Sequence, residues 1–318
     1  MRYLLFLLLC LPTFVLGQTT MDKAKSYLEH KQYAEAEQLL ATYVQTHNKD
    51  KQGLELLGDA YGYQKKWEEA SVQYKTLLDL EFDNANFQYK YGGAMGMKAL
   101  EMNKFSALLI IDDVKGAFLK AAELDPNHIE TRWALVELYM QLPGIVGGSK
   151  AKSLKYANEL ELLSKVDGYL AKGYIYEYDK EPVLAEKFYK LAIKEGGSFN
   201  CYSKLTTLYE NQNQPEKAIV NMEAAVKTHE RNAMHYQIGK VCAEYNIQLE
   251  KGENCLLTYI KNHSAKDGVP KAWAYYRLAQ IERYKKDKVK ALEYIDLAII
   301  ELPKIAPFKE ERVEILSL

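Results

Sequence analysis

From Thr20 to the C-terminus, apolar and aromatic residues return with a period near 34 residues, and each period holds two helix-patterned stretches. A 34-residue helix–turn–helix unit cannot bury its apolar face alone. Such units must stack on their neighbours, so the period predicts an all-α solenoid. No stretch alternates apolar and polar residues long enough to predict a strand, and only 8 Pro and 18 Gly are present, few for a protein of many short strands.

The clearest unit, 51–84, carries Leu54, Leu57, Gly58 and Tyr61 on its first helix and Trp67, Ala70, Tyr74 and Leu77 on its second. Residues 17–50, 166–199, 199–232 and 272–305 repeat the pattern, with Tyr27, Ala36 and Leu40; Tyr169, Gly173, Ala185 and Tyr189; Tyr202, Leu205, Tyr209 and Ala218; and Tyr275, Leu278, Ala279, Ala291 and Pro303. The unit at 232–271 is looser, with Ile238, Gly239, Gly252 and Leu256. Units 85–128 and 129–165 carry insertions. In the first, the second helix arrives about ten residues late. In the second, the loop Leu142-Pro-Gly-Ile-Val-Gly-Gly148 intervenes. The tail 306–318 is amphipathic enough to cap the last face.

The large residue, Leu-Gly and Tyr of the first helix, followed by Ala, an aromatic, Ala and Pro, resemble the tetratricopeptide repeat, and the resemblance covers essentially all of 18–318. It implies a right-handed α-solenoid of about eight repeats, with Gly58 meeting Ala70 where two helices cross. The packing tyrosines Tyr61, Tyr139 and Tyr209 should be buried. The 25 tyrosines, against 9 phenylalanines, then have an ordinary cause, since the repeat uses bulky aromatics at several positions.

The resemblance also implies a concave groove lined by first helices. Its aromatic candidates are Tyr63, Tyr89, Trp133, Tyr174, Tyr178, Tyr236, Trp273 and Tyr276, expected to be partly exposed as a protein- or peptide-binding surface. Glu55, Asp59, Glu137 and Glu177 make the N-terminal half acidic. One subtype of the family captures a C-terminal carboxylate with Lys and Asn where this chain has Glu55 and Asp59, so that ligand is not expected.

Residues 1–17, MRYLLFLLLCLPTFVLG, read as an export signal with cleavage before Gln18. The apolar run is short for a membrane span, which needs about 20 residues. An uncleaved anchor is the alternative, and Cys10 lacks the small residues that precede a lipidated cysteine. The mature chain is expected to be free of integral membrane segments, bacterial, and periplasmic in a Gram-negative source or otherwise secreted. Cys201, Cys242 and Cys255 are an odd set with no Cys-x-x-Cys spacing, expected reduced and mostly buried, with a Cys242–Cys255 bridge as the alternative.

Lys+Arg 42 against Asp+Glu 43 gives a net charge of -1, which supplies no field for nucleic acid. The loop Gly144-Ile-Val-Gly-Gly-Ser-Lys150 lacks the Gly-Lys-Ser/Thr ending of a phosphate loop and follows no strand pattern. The six histidines form no metal-ligand spacing, and no Gly-x-Ser-x-Gly elbow is present. Asp112-Asp113 reads as a solvated helix start, 284–290 as a basic turn, and Asn262-His-Ser264 as a glycosylation acceptor in a eukaryotic source only. No cofactor, metal or catalytic set is expected. The leading function is a non-enzymatic exported scaffold for a protein or peptide. The alternatives are a small-molecule or glycan receptor using the groove aromatics, and an enzyme built on a helical core.

Overall fold

The computed structural model describes residues 20–229 and 231–318, so the leader 1–17 with Cys10 lies outside the described residues. It is all-α, a helical-repeat solenoid fold without strands among the described residues. Two compact units divide the chain after Leu163.

The first unit contains α1 (20–29), α2 (Tyr33–Thr46), α3 (Lys51–Tyr63), α4 (Trp67–Leu80), α5 (Ala85–Glu101), α6 (Lys104–Leu124), α7 (Ile129–Gln141) and α8 (Lys150–Leu163). The second contains α9 (Lys165–Tyr178), α10 (Pro182–Glu195), α11 (Phe199–Asn211), α12 (Pro215–His229), α13 (Asn232–Tyr245), α14 (Leu249–Lys261), α15 (Lys271–Tyr284), α16 (Lys288–Glu301) and α17 (Ala306–Leu316). Within each unit, each helix packs on its sequence neighbour, and first helices of successive pairs also touch, as α13 does α15.

The starts of the helices are written locally. The side chains of Asp50, Asn84, Asn103 and Asp287 accept from the first-turn amides of α3, α5, α6 and α16 at 3.0–3.1 Å. Each satisfies a backbone donor that the helix itself leaves unpaired. Pro182 and Pro215 open α10 and α12, where a missing N–H costs nothing.

Five repeats share one turn between their two helices. Lys31, Lys65, Lys180, Asn213 and Lys286 each stand two residues before the second helix with φ between 54° and 64°. The next amide then reaches back five residues, as Lys66 N–H to Tyr61 O at 3.0 Å and Gln214 N–H to Tyr209 O at 2.9 Å. This left-handed helix stop usually takes Gly or Asn. Lysine fills it four times here, so composition alone does not mark these turns.

At the helix crossings the glycines face bulky second-helix side chains. The side chain nearest to a Cβ built on Gly58 is the Tyr74 ring. A Cβ at Gly58 would lie 2.5 Å from Tyr74 Cε1. Gly92 meets Phe118 in the same way, with 3.0 Å left for a Cβ, and Gly173 and Gly239 leave no room beneath Tyr189 and Leu256. The glycine therefore seats a bulky second-helix side chain on the first-helix backbone, a close-packed joint repeated along the chain. Of the packing tyrosines, Tyr139 and Tyr209 are buried, whereas Tyr61 is only partly so and packs against two successive core clusters.

The insertion in the third pair becomes helix, not loop. The helix α6 runs 21 residues and α5 17, beside 13 or 14 in α3, α4, α7 and α8. Asp112 and Asp113 accordingly lie in the middle of α6 rather than at its start, and both are exposed. The loop 142–149 contains a single 3-10 turn, Gly144–Val146, with Gly147 at φ 99°. Cys201, Cys242 and Cys255 are free, the first two buried. Burial raises the Cys242 thiol to about 12, with Cys255 adding to the shift.

Candidate functional site: an apolar cavity in the first unit

A cavity of about 750 Å³ opens among α3, α4, α5, α6 and α7, a size typical of ligand pockets. The long α5–α6 hairpin makes it. Gly93, Gly96, Met97 and Leu100 of α5 form one wall with Ile111, Val114 and Phe118 of α6. Tyr63 and Trp67 border it on one side and Ala134, Glu137 and Leu138 of α7 on the other.

Gly93 is the informative position. A Cβ there would meet nothing within 4 Å, unlike Gly92 beside it. Glycine inside a helix costs about 0.5–1 kcal/mol relative to alanine. Packing does not require Gly93, so the side chain it lacks is space left open in the cavity.

The polar lining residues are largely committed to one another. The Tyr74 hydroxyl donates to Asp59 at 2.7 Å. The Lys90 ammonium donates to both Asp59 oxygens at 2.7 and 2.8 Å and lies 2.7 Å from Glu55. Asn86 donates to Glu55, and Trp67 Nε1–H to Glu101 at 2.9 Å. Burial opposes the Lys90 charge, but Asp59 and Glu55 outweigh it and raise its pKa. The carboxylates expected to face an open groove are therefore partly neutralised by a lysine of the next first helix.

The second unit repeats this device. Glu177 accepts from Tyr189 and Asn211, Lys240 donates to Glu210 at 3.1 Å, and Arg277 pairs with Glu244. Arg283 pairs with Glu311 of α17. Partly exposed pairs of this kind contribute about 0–1 kcal/mol each, so they set register more than stability.

Burial raises the phenols of Tyr74 and Tyr189, with Asp59 and Glu177 adding to it, and takes Tyr259 to about 12. These groups stay protonated when folded but ionise near pH 10 when unfolded. Their contribution is whole below about pH 10 and falls as pH rises through the folded values. Urea midpoints measured from pH 8.5 to 11 should drop steeply above about 10, and less steeply in Tyr74→Phe/Tyr189→Phe. Equal slopes would show that these phenols are not coupled to folding.

The expected groove aromatics separate into three groups. Tyr63 and Tyr89 line the cavity, Tyr63 at 61% exposure and stacked on Tyr33 at 4.8 Å. Trp133 is half-buried on α7 outside the lining, while Tyr174 is half-buried and Tyr178 exposed as neighbours on α9, 6.0 Å apart. Among the others, only Tyr236 misses the expected partial exposure. Tyr236 is 6% exposed, in a core cluster with Leu256 and Tyr259. Trp273 and Tyr276 are half-buried because Phe308 of α17 sits against both, at 5.0 and 5.1 Å. The amphipathic tail thus partly covers two of the eight rings expected to face a partner.

Sequence reasoning missed Trp67, Gly93, Met97, Leu138 and Leu142 as lining residues. The available signal was the run Gly92-Gly-Ala-Met-Gly96 inside a helix-patterned stretch, too poor a helix former to be there for helicity.

Among the described residues no cluster of His, Cys, Asp or Glu could hold a metal ion, and no helix is long and apolar enough to cross a membrane. No protein-family model matches the chain, and no curated protein matches it. Solved structures do. A tetratricopeptide repeat protein from Parabacteroides merdae matches with TM-score 0.50 and 14% identity over 94% of this chain and 98% of its own. YrrB, described as a TPR protein with an unusual peptide-binding site, matches at TM-score 0.42 and 20% identity, over 61% of this chain and 96% of its own. The MamA protein matches at TM-score 0.44 and 17% identity, over 56% and 90%. The fold of this chain is the tetratricopeptide-repeat fold.

Proposed function

We propose that this tetratricopeptide-repeat chain is an exported, non-catalytic scaffold that binds a protein or peptide in the apolar cavity of its first unit. Gly93 carries the reading. Its open Cβ position keeps the cavity accessible at a cost in helix stability that no packing contact requires. In the lining itself Leu100 is 66% exposed, and Phe105, two residues before the lining Ala107, is 84% exposed, as apolar side chains at a partner site are. The lining holds no Ser, Thr, Cys or His, and its one lysine is ion-paired, which supports binding over chemistry. A glycan would need several free hydroxyl partners, and most polar groups here are already engaged. Nucleic acid finds no basic surface in the lining.

Selection of a displayed random peptide library on the purified chain tests this. Peptides recovered should bind the wild type and lose binding to Gly93→Leu. Selection of sequences that bind both equally would place the site elsewhere. Export rests on the apolar run ending Val15-Leu16-Gly17. N-terminal sequencing of exported protein should begin near Gln18, and a start at Met1 with membrane retention would overturn export.

A further inference from the structure

Two of the cysteines stand at one helix crossing in the second unit. On α13, Cys242 follows Gly239 by three residues, and on α14, Cys255 follows Gly252 by three. Both glycines are contact points. A Cβ on Gly252 would lie 2.5 Å from Cys242 Cβ and 3.4 Å from its Sγ, and a Cβ on Gly239 would lie 3.1 Å from the Gly252 carbonyl oxygen. The Cys242 side chain therefore rests on the α14 backbone itself. Residues three apart on a helix have Cβ atoms about 5–6 Å apart. Cys255 Cβ is then within about 8 Å of Cys242 Cβ, and a disulfide spans about 3.5–4.5 Å.

The surroundings agree with that proximity. Burial raises the Cys242 thiol, and Cys255 is near enough to add to it. Both thiols feel the same two charges, Glu223 of α12 and Lys251 of α14, which pair with each other at 2.6 Å. Access differs between them, since Cys242 is fully buried and Cys255 only half-buried. The turn joining α13 to α14 also departs from the one shared by five other repeats. Asn246 and Gln248 both have left-handed backbones, with φ 53° and 46°. Neither is glycine, so strain is held in this hairpin.

We infer that Cys242 and Cys255 are a dithiol that a disulfide oxidant converts to a bridge, tying α13 to α14. The accessible Cys255 thiolate attacks one sulfur of the oxidant, displaces its other half as a thiolate and forms a mixed disulfide. The Cys242 thiol then loses its proton to water, attacks the Cys255 sulfur and displaces the second half. Two protein thiols are oxidised, and one small disulfide is reduced to two thiols. Cys201, on α11 with its sulfur 3.3 Å from the Ser198 hydroxyl, takes no part. Export, proposed above, would carry the chain to a compartment where such bridges persist, but the pairing does not depend on it.

Oxidised glutathione added to the purified full chain tests this, read by alkylation under denaturing conditions and peptide mass spectrometry. The wild type should lose two hydrogens, keep one alkylatable thiol at Cys201, and yield the Cys242 and Cys255 peptides as one disulfide-linked species. Its melting temperature should rise, because the bridge restricts the unfolded chain. Cys242→Ala should stop at a glutathionyl group on Cys255, and Cys255→Ala should leave Cys242 unmodified over the same time. A glutathionyl group that persists on Cys255 of the wild type would show that Cys242 does not reach it. An unmodified Cys255 would show that the oxidant does not. Either result, or a bridge that lowers the melting temperature, would overturn the inference.

Discussion

Gly58→Leu should destabilise the first unit by about 3 kcal/mol, the upper end of overpacking effects. The Tyr74 ring occupies the space that even a Cβ would need, and it cannot retreat freely, because its hydroxyl is tied to Asp59 at 2.7 Å and it is 6% exposed. Overpacking is relieved only by shifting α4 off α3, which opens a cluster containing Leu54, Leu77 and Phe87. A cycle with alanine isolates the cause. Gly58→Ala should destabilise in the wild-type background. In Tyr74→Ala the ring is gone, and the same change should stabilise by up to about 1 kcal/mol through helix propensity. Urea denaturation of the four proteins reads the change of sign. The same sign in both backgrounds would mean that the ring is not what excludes the Cβ.

Gly93→Leu should have the opposite profile. Its side chain enters open space, so the melting temperature should hold or rise, by an amount equivalent to about 0.5–1 kcal/mol. Ligand affinity should fall at least a hundredfold, because the leucine fills the floor on which the ligand rests. The two glycine substitutions differ by what stands opposite each residue, Tyr74 in one case and empty cavity in the other. A large loss of stability in Gly93→Leu would show that the cavity closes in solution and that α5 packs there. Differential scanning calorimetry beside a peptide titration gives both readouts on one preparation.

The sequence by itself determined the repeat. Its 34-residue period, its small residues at fixed offsets and its capping Asp and Asn residues are local or nearly local signals, so helix type and pairing follow from them. Gly58 and Gly173 were legible as positions of close approach, but the side chain that approaches was not. Period and offset say that two helices cross, while rotamers decide that a tyrosine ring comes down on the glycine. The turns at Lys31, Lys65, Lys180 and Lys286 were equally hidden, because lysine is an unfavourable residue for positive φ, and the paired helices hold it there.

Only the tertiary structure decided the site. Tyr63, Tyr236 and Trp273 all fall at first-helix positions, yet one is exposed, one is core, and one is half-covered by Phe308. Exposure depends on what the neighbouring helix places opposite, and helix roll changes it without changing the period. The ten-residue insertion likewise reads as a delay in the pattern. Whether it becomes a loop or two longer helices depends on whether the extra turns find support, and here Val114 and Phe118 against Gly96 and Gly92 supply it. The cavity beside them takes its lining from five helices, a relation that no single segment encodes.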